Sequence, residues 1–488
     1  MSLEIRRSTI VSEPRSGSVA ALLCLALTAL FAGCAVGPDY ERPTLDTPTS
    51  FRRAASDAGV AGTNSLADLG WGELARDETL RGYLAEALTN NWDVRIAASR
   101  VLQAEASLRV TRSQFLPSIA AGGDVFTTRT SQVGPAGLPS GVDPQKEFGD
   151  VYLAASTYEV DLWGRIRRAT EAARARLVAT EAARQAVRQT LVTDVTSTYL
   201  QLLQFDHALE IARRSLINRT NSLALTTARE DGGVASLQDV AQSRILVATA
   251  EASIVDTLRL IEQTENALCL LLGRNPGPIL RDVALTERPV QTEVPAGLPS
   301  SLLERRPDLR FAEGQLRAAN ADVGQAKATF YPQVTLTGNY GFQSVSLSDL
   351  FTAPAQAWQF GPTVTFPLFT GGRLRGNLQL ARAQFEEAVA QYQQASQAAF
   401  RDVSDSLIAF QRLREYRSRL EQRTQAHRLA AELANLRYDG GVTSYLEVLY
   451  SEQELFDAEL ALSRAQLNEL LSVVQVYRAL GGGWQIDP

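Results

Sequence analysis

Asp231-Gly232-Gly233-Val234-Ala235-Ser236 and Asp439-Gly440-Gly441-Val442-Thr443-Ser444 are two copies of one six-residue turn, 208 residues apart and identical at five positions. Glycine just past the end of a helix adopts the left-handed conformation that satisfies the last carbonyls of the helix. The serine that closes each turn suits the N-cap of a following helix. The repeated turn therefore predicts two helical hairpins, each built as helix, turn and helix.

The arms of both hairpins are unusually long. Residues 165–230 contain no glycine or proline, and residues 373–438 contain a single glycine, Gly376. A helix of that length extends about 100 Å, whereas mean helices have about 11–12 residues. The outgoing arms, 236–272 and 444–480, also lack both residues. In the first of them, apolar residues recur at strict sevens, which is typical of a coiled-coil seam: Val240, Val247, Ile254, Ile261 and Leu268.

Composition excludes several classes of function. The net charge is −6 with no run of basic residues, so we predict no nucleic-acid partner. Only Cys269 lies in the body of the chain, which predicts no internal disulfide or thiolate cluster. His207 and His427 lie 220 residues apart on helical stretches, without a Cys, His and Asp cluster around either. We therefore predict a protein that is not an enzyme and that has no metal or cofactor.

The N-terminus resembles a lipoprotein export signal. Three arginines precede an apolar run at 19–31, the order found in secretory signals, and the run is too short to span a membrane. It ends in Leu30-Phe31-Ala32-Gly33-Cys34, which resembles a bacterial lipobox. The resemblance predicts cleavage after residue 33 and lipidation, including a palmitate, at Cys34. The alternative is an ordinary signal peptide followed by a chance cysteine.

Four stretches have the texture of β-strands. Residues 118–130 and 151–161 flank a Gly- and Pro-rich loop, and 333–343 and 358–366 alternate apolar or aromatic residues with Thr, Gln and Asn. Such alternation is typical of membrane barrels, although a soluble half-buried hairpin alternates in the same way. Open sheet edges are not tolerated in hydrocarbon, and bacterial barrels have at least eight strands. Four membrane strands therefore require two, three or more copies of the chain.

These elements divide the chain into tandem copies of one unit. Each copy carries its own strands and its own long hairpin, at 165–272 and at 373–480. In chain order, the predicted segments are a signal peptide (1–33), an extended strap (34–76), a first repeat (77–272), a linker (273–302), a second repeat (303–480) and a C-terminal tail (481–488).

Several stretches together resemble the TolC-like outer membrane efflux proteins, specifically the lipoprotein (NodT-type) branch of drug-efflux outer membrane factors. They are residues 34–43, 304–310, 326–332, 367–374 and 437–449. The resemblance implies an α+β membrane protein: a homotrimer with a 12-stranded outer membrane barrel, continued by a coiled-coil helical barrel in the periplasm. It also implies a periplasmic adaptor, an inner-membrane pump and contact with outer membrane lipid in a Gram-negative bacterium. The implied function is multidrug efflux, the export of small molecules; the alternative is a structural coiled-coil lipoprotein without transport.

The resemblance also implies a gate next to the repeated turns. Glu447 matches the first of two acidic positions that line the entrance, whereas Tyr450 stands at the second. Asp239 occupies the place of Glu447 in the first copy, and Tyr438 matches a tyrosine at a closed-state helix contact. The alternative is that the two acids are solvated residues of the first helical turn, where the helix dipole favours negative charge. The turns are the implied adaptor-docking residues: Gly232, Gly233, Val234, Ser236, Gly440, Gly441, Val442 and Ser444.

Overall fold

The structure is a computed structural model that describes residues 35–48, 51, 66–71, 77–135, 138–139, 141–288 and 301–482. The predicted signal peptide, Cys34 and the end of the C-terminal tail lie outside the described residues. The elements, in chain order, are α1 (Glu78–Asn90), α2 (Trp92–Ser113), β1 (Ile119–Arg129), β2 (Gln145–Val160), α3 (Arg165–Asp231), α4 (Leu237–Leu272), α5 (Leu302–Arg305), α6 (Pro307–Ala328), β3 (Gln333–Ser344), β4 (Gln356–Thr365), α7 (Arg373–Asp439) and α8 (Tyr445–Ala479).

The chain forms two compact units, and each unit combines segments from both repeats. Among the described residues, the first contains 35–42 together with Ala104–Arg176 and Gln315–Ala388. The second contains Pro43–Gln103, Leu177–Gly314 and everything from Val389 onward. The sequence repeat is thus a repeat of secondary structure, whereas each packed unit is assembled from matching parts of both copies.

The first unit contains a four-stranded antiparallel sheet in the order β1-β2-β3-β4. The sequence pattern predicts a second strand that starts at residue 151, but β2 begins at Gln145. The prediction was wrong because the glycines and prolines of the preceding loop end at Pro144, and β1 needs partners as far as Arg129, which pairs with Gln145. The early part of β2 carries Lys146 and Glu147, whose charges hid its strand character.

The two faces of this sheet differ in chemistry. Cross-strand rows such as Ala121–Leu153–Tyr340–Trp358 place apolar side chains on one face. On β3 and β4 the other face carries Thr, Asn and Gln, and on β1 and β2 it places Asp124 directly opposite Asp150 and Phe126 opposite Phe148. This is the division between a lipid-facing surface and a water-filled lumen in membrane barrels.

The second unit has two core clusters at equivalent places in the repeat. Val195, Leu202 and Leu268 belong to the first cluster. The residues 208 positions later, Val403, Phe410 and Val476, belong to the second. The predicted seam of α4 is buried at Val240, Ile261 and Leu268, so its heptad pattern does mark the packed face. Among the described residues, no helix is both long enough and apolar enough to cross a membrane.

Candidate functional site

The repeated turns close their helices through left-handed glycines. Gly233 has φ 76° and Gly441 has φ 69°, values at which a side chain would be strained. The next residue reaches back across the turn in both copies: the Val234 N–H donates to the Arg229 carbonyl and the Val442 N–H to the Arg437 carbonyl, each at 2.8 Å. The same glycine chemistry therefore sets both turns, and both valines remain exposed.

Asp239 forms a capping box with Ser236 at the start of α4. The Ser236 N–H donates to Asp239 Oδ2 at 3.0 Å, and the Ser236 hydroxyl donates to the same oxygen at 2.8 Å. The Asp239 N–H donates in return to Ser236 Oγ at 3.2 Å. This reciprocal arrangement satisfies two backbone donors that a helix start leaves unpaired. The carboxylate of Asp239 thus has a structural role within its own hairpin.

Glu447 occupies the equivalent position at the start of α8 but has different partners. Ser444 makes no capping hydrogen bond through its side chain. Instead, Arg437 Nη1 donates to Glu447 Oε1 at 2.8 Å, and the Thr443 hydroxyl donates to Oε2. The side chain of Glu447 remains 40% exposed. The two acids, which occupy equivalent positions of the repeat, are therefore held differently.

Arg229 joins the two turns to each other. Its guanidinium lies 4.2 Å from the ring centroid of Tyr438, and its Nη2 lies 3.8 Å from a carboxylate oxygen of Asp439. Tyr438 in turn packs against Tyr445, with ring centroids 5.1 Å apart. We call these four residues the turn cluster. One arginine of the first hairpin thus contacts both an aromatic ring and a carboxylate of the second hairpin.

A second arginine links the hairpins three turns of helix earlier. Arg219 is buried; its Nη1 donates to the Leu246 carbonyl on α4 at 2.9 Å and its Nη2 to Gln453 Oε1 on α8 at 3.0 Å. The guanidinium also lies 4.9 Å from the ring centroid of Phe456. It lines a cavity of about 240 Å³ between α3, α7 and α8.

Burial shifts the pKa values of two charged groups at this cavity, Glu452 and Arg219. Burial raises the pKa of Glu452 above its ordinary value of 4.5, although Asn435 and Arg219 act in the opposite direction. Burial likewise lowers the pKa of Arg219, against the attraction of Glu452 and Asp457. Arg219 Nε and Glu452 Oε2 are buried without a hydrogen-bond partner among the described residues. The hairpins therefore meet through a polar contact that is incompletely satisfied.

The structure places the remaining predicted residues as follows. Tyr438 lies in the turn cluster, whereas Tyr450 is 68% exposed and outside it. Arg219, Arg229 and Glu452 are not among the site residues predicted from the sequence. The repeat offered one signal, since Arg229 and Arg437 are equivalent residues before the two turns. Within the part of the chain described, no group of His, Cys, Asp and Glu residues is arranged to hold a metal.

Comparisons with known proteins place this architecture in a family. The outer membrane efflux protein family model matches residues 83–274 and again residues 298–482. Outer membrane protein OprJ of Pseudomonas aeruginosa is 36% identical over 476 residues, 97% of each chain. The toluene efflux pump outer membrane protein TtgI of Pseudomonas putida is 37% identical over 462 residues, 94% of this chain and 97% of TtgI. The open state of the MtrE outer membrane channel of Neisseria gonorrhoeae is 31% identical with a TM-score of 0.81, covering 93% of this chain and 99% of MtrE.

The chain belongs to the outer membrane efflux protein family. The predicted fold class is confirmed: the chain contributes four strands to a trimeric 12-stranded barrel that a coiled-coil helical barrel continues. The two family matches coincide with the two sequence repeats. The protein is the outer membrane component of an efflux system. Its family consists of efflux channels rather than enzymes.

Proposed function

We propose that this protein is the outer membrane duct of a tripartite efflux assembly that exports small molecules. In this assembly, the homotrimer docks onto a periplasmic adaptor and receives its cargo from an inner-membrane pump. The observation that carries the proposal is the four-stranded sheet with its apolar and polar faces, combined with the family match over both repeats. One chain cannot close such a sheet, so a channel requires partner copies.

The proposed gate lies at the turn cluster. Glu447 keeps an exposed carboxylate despite its ion pair, so three copies would present three carboxylates at the periplasmic entrance. Asp239 would add three more, held in place by its capping box. Carboxylate rings favour cations in channels. Tyr438 would hold the closed state through Arg229, and the exposed Tyr450 would replace the second acidic ring by an aromatic one.

The proposed docking surface for the adaptor is the outer side of the repeated turns. Val234 and Val442 are exposed at equivalent positions. Their glycine neighbours, Gly232, Gly233, Gly440 and Gly441, keep the backbone free of side chains, and Ser236 and Ser444 begin the outgoing helices. A pair of exposed valines on rigid turns suits the apolar groove of a partner helical hairpin. Repetition within the chain would give the trimer six such turns.

The proposed lipid anchor is Cys34. The next residue, Ala35, packs against Gly164. The contact is so close that a Cβ added at Gly164 would lie 2.8 Å from the Ala35 Cβ. The Val36 N–H donates to the Trp163 carbonyl at 3.0 Å. Trp163 follows β2 at the helical end of the sheet, next to Tyr331, with ring centroids 4.9 Å apart. Ala35 and Val36, the described residues that follow the proposed anchor, therefore lie beside an aromatic pair of the kind that concentrates at membrane edges.

Heat-modifiable migration and planar-bilayer recordings of the purified protein test the proposal together. A duct gives a trimer that dissociates on heating and discrete conductance steps, which Asp239→Ala and Glu447→Ala together enlarge or make more frequent. A monomer that gives no steps, even with both substitutions, would instead favour the structural lipoprotein.

A further inference from the structure

The starts of α3 and α7 occupy equivalent positions of the sequence repeat, and they share their backbone structure. Both helices follow a strand of the sheet and begin at a left-handed glycine, Gly164 with φ 79° and Gly372 with φ 86°. The second residue of each helix is apolar and buried, Ile166 in α3 and Leu374 in α7. The two helix starts are therefore the same structure built twice.

In the first copy, the two arginines at the start of α3 form ion pairs with carboxylates of the same chain. Arg165 donates to both carboxylate oxygens of Glu159, with Nε to Oε1 at 2.8 Å and Nη2 to Oε2 at 2.7 Å. Arg167 Nε donates to Asp161 Oδ2 at 3.2 Å. A carboxylate at the end of β2 and one on the following turn thus receive the two guanidinium groups.

The second copy keeps the arginines and loses the carboxylates. Arg373 and Arg375 are 208 residues after Arg165 and Arg167, but Pro367 and Phe369 stand where Glu159 and Asp161 would be. Both arginines are exposed, and no acidic side chain in the described ranges lies within ion-pair distance of either. The two guanidinium groups of the second copy therefore lack the carboxylate partners that their equivalents have in the first copy.

The same segment exposes large apolar side chains. Leu368 is 87% exposed and Phe369 is 91% exposed. Leu368 continues the phase of the apolar face of β4, where Trp358, Phe360 and Val364 are exposed and Phe366 follows. Phe369 is the next residue along the chain, beyond the end of the strand. Since that face of the sheet meets lipid in a membrane barrel, the residues just past its end lie at the level of the headgroups.

We propose that residues 366–375 form a phospholipid-docking surface on the outer side of the barrel's helical end. Leu368 and Phe369 insert among the acyl chains, and Arg373 and Arg375 bind the lipid phosphate in place of the two missing carboxylates. Arginine suits this task because its planar fork binds phosphate through paired hydrogen bonds. The inference rests on the outer membrane location of the chain and is independent of the gate.

Native mass spectrometry of the full-length trimer with dioleoyl phosphatidylglycerol tests this surface, with dioleoylglycerol as the probe that lacks phosphate. Each basic residue near a lipid surface contributes about fivefold in affinity, so Arg373→Gln with Arg375→Gln weakens phosphatidylglycerol binding by about 30-fold. The paired change to lysine retains most of the binding. Phe369→Asp restores the residue of the first copy and lowers lipid binding while both arginines remain.

Arg382→Gln is the matched control, since Arg382 is exposed on the same helix seven residues beyond Arg375; it leaves binding unchanged. The proposal is overturned if the double glutamine variant binds phosphatidylglycerol like the wild type, or if dioleoylglycerol binds equally well. It is also overturned if the variant only loses its trimer, because a neighbouring copy would then be the occupant. Conductance of the same variants reports separately on the duct.

Discussion

Arg229 provides the sharpest perturbation of the gate, because it is the side chain of the turn cluster that crosses from one hairpin to the other. Replacing it by alanine removes the contact with the Tyr438 ring at 4.2 Å and the ion pair with Asp439 at 3.8 Å. It leaves both turns intact, since their glycines and backbone hydrogen bonds do not involve this side chain. We therefore expect hairpins that fold normally but are held together less tightly.

The size of the effect follows from the exposure of the partners. A cation–π contact at an exposed site contributes about 0.5–1 kcal/mol. The ion pair joins side chains that are 27% and 64% exposed, and such a surface pair contributes about 0.2–1 kcal/mol. Together they stabilise the joined state by about 1–2 kcal/mol, so Arg229→Ala should shift the closed-to-open ratio by roughly 5- to 30-fold in each chain.

Single-channel recording in planar bilayers measures that ratio as the open probability. Arg437→Ala is the matched control, because Arg437 is the repeat equivalent of Arg229 but pairs with Glu447 within its own hairpin. Arg229→Ala should raise the open probability several-fold, and Arg437→Ala should change it much less. Equal open probabilities for wild type and Arg229→Ala would refute the assignment of the turn cluster as a closing contact.

Four further predictions concern the same unit. Glu447→Gln should lower the preference of the channel for cations over anions, and Tyr450→Asp, which restores the second acid, should raise it; reversal potentials in a salt gradient measure both. Glu452→Gln should raise the melting temperature, measured by circular dichroism, more at pH 7.5 than at pH 4. Burial raises the pKa of Glu452, so the stability present below its unfolded pKa is lost as the pH rises through the folded pKa. Val234→Asp with Val442→Asp should reduce co-purification of the periplasmic adaptor at least tenfold while leaving the trimer intact; a tryptophan fluorescence spectrum identical to that of the wild type would confirm the fold of that variant.

The sequence predicted those parts of the fold whose signals are local or periodic. The turn glycines, the Ser236 cap and the seam of α4 each follow from residue chemistry at fixed spacing, and the alternation of β3 and β4 marks the faces of the sheet. The start of β2 was mispredicted because its first residues include the charged Lys146 and Glu147. In that stretch, pairing with β1 decides the structure, and pairing is a long-range property.

The contacts of the candidate site were harder to predict. Arg229 and Arg437 look equivalent in sequence, yet one crosses to the other hairpin and the other stays within its own. Asp239 and Glu447 diverge in the same way, because Ser236 caps its helix and Ser444 does not. Such choices depend on which helix packs alongside, and a repeated motif carries no information about its neighbour.

Efflux itself is the most direct test of the central claim. Cells that carry this chain as their outer membrane efflux protein, together with a cognate adaptor and pump, should extrude a fluorescent substrate faster than cells without it. The Val234→Asp and Val442→Asp variant should reach the outer membrane as a trimer but fail to restore extrusion. Extrusion that is the same with and without the wild-type chain, once its trimer is found in the outer membrane, would contradict the account.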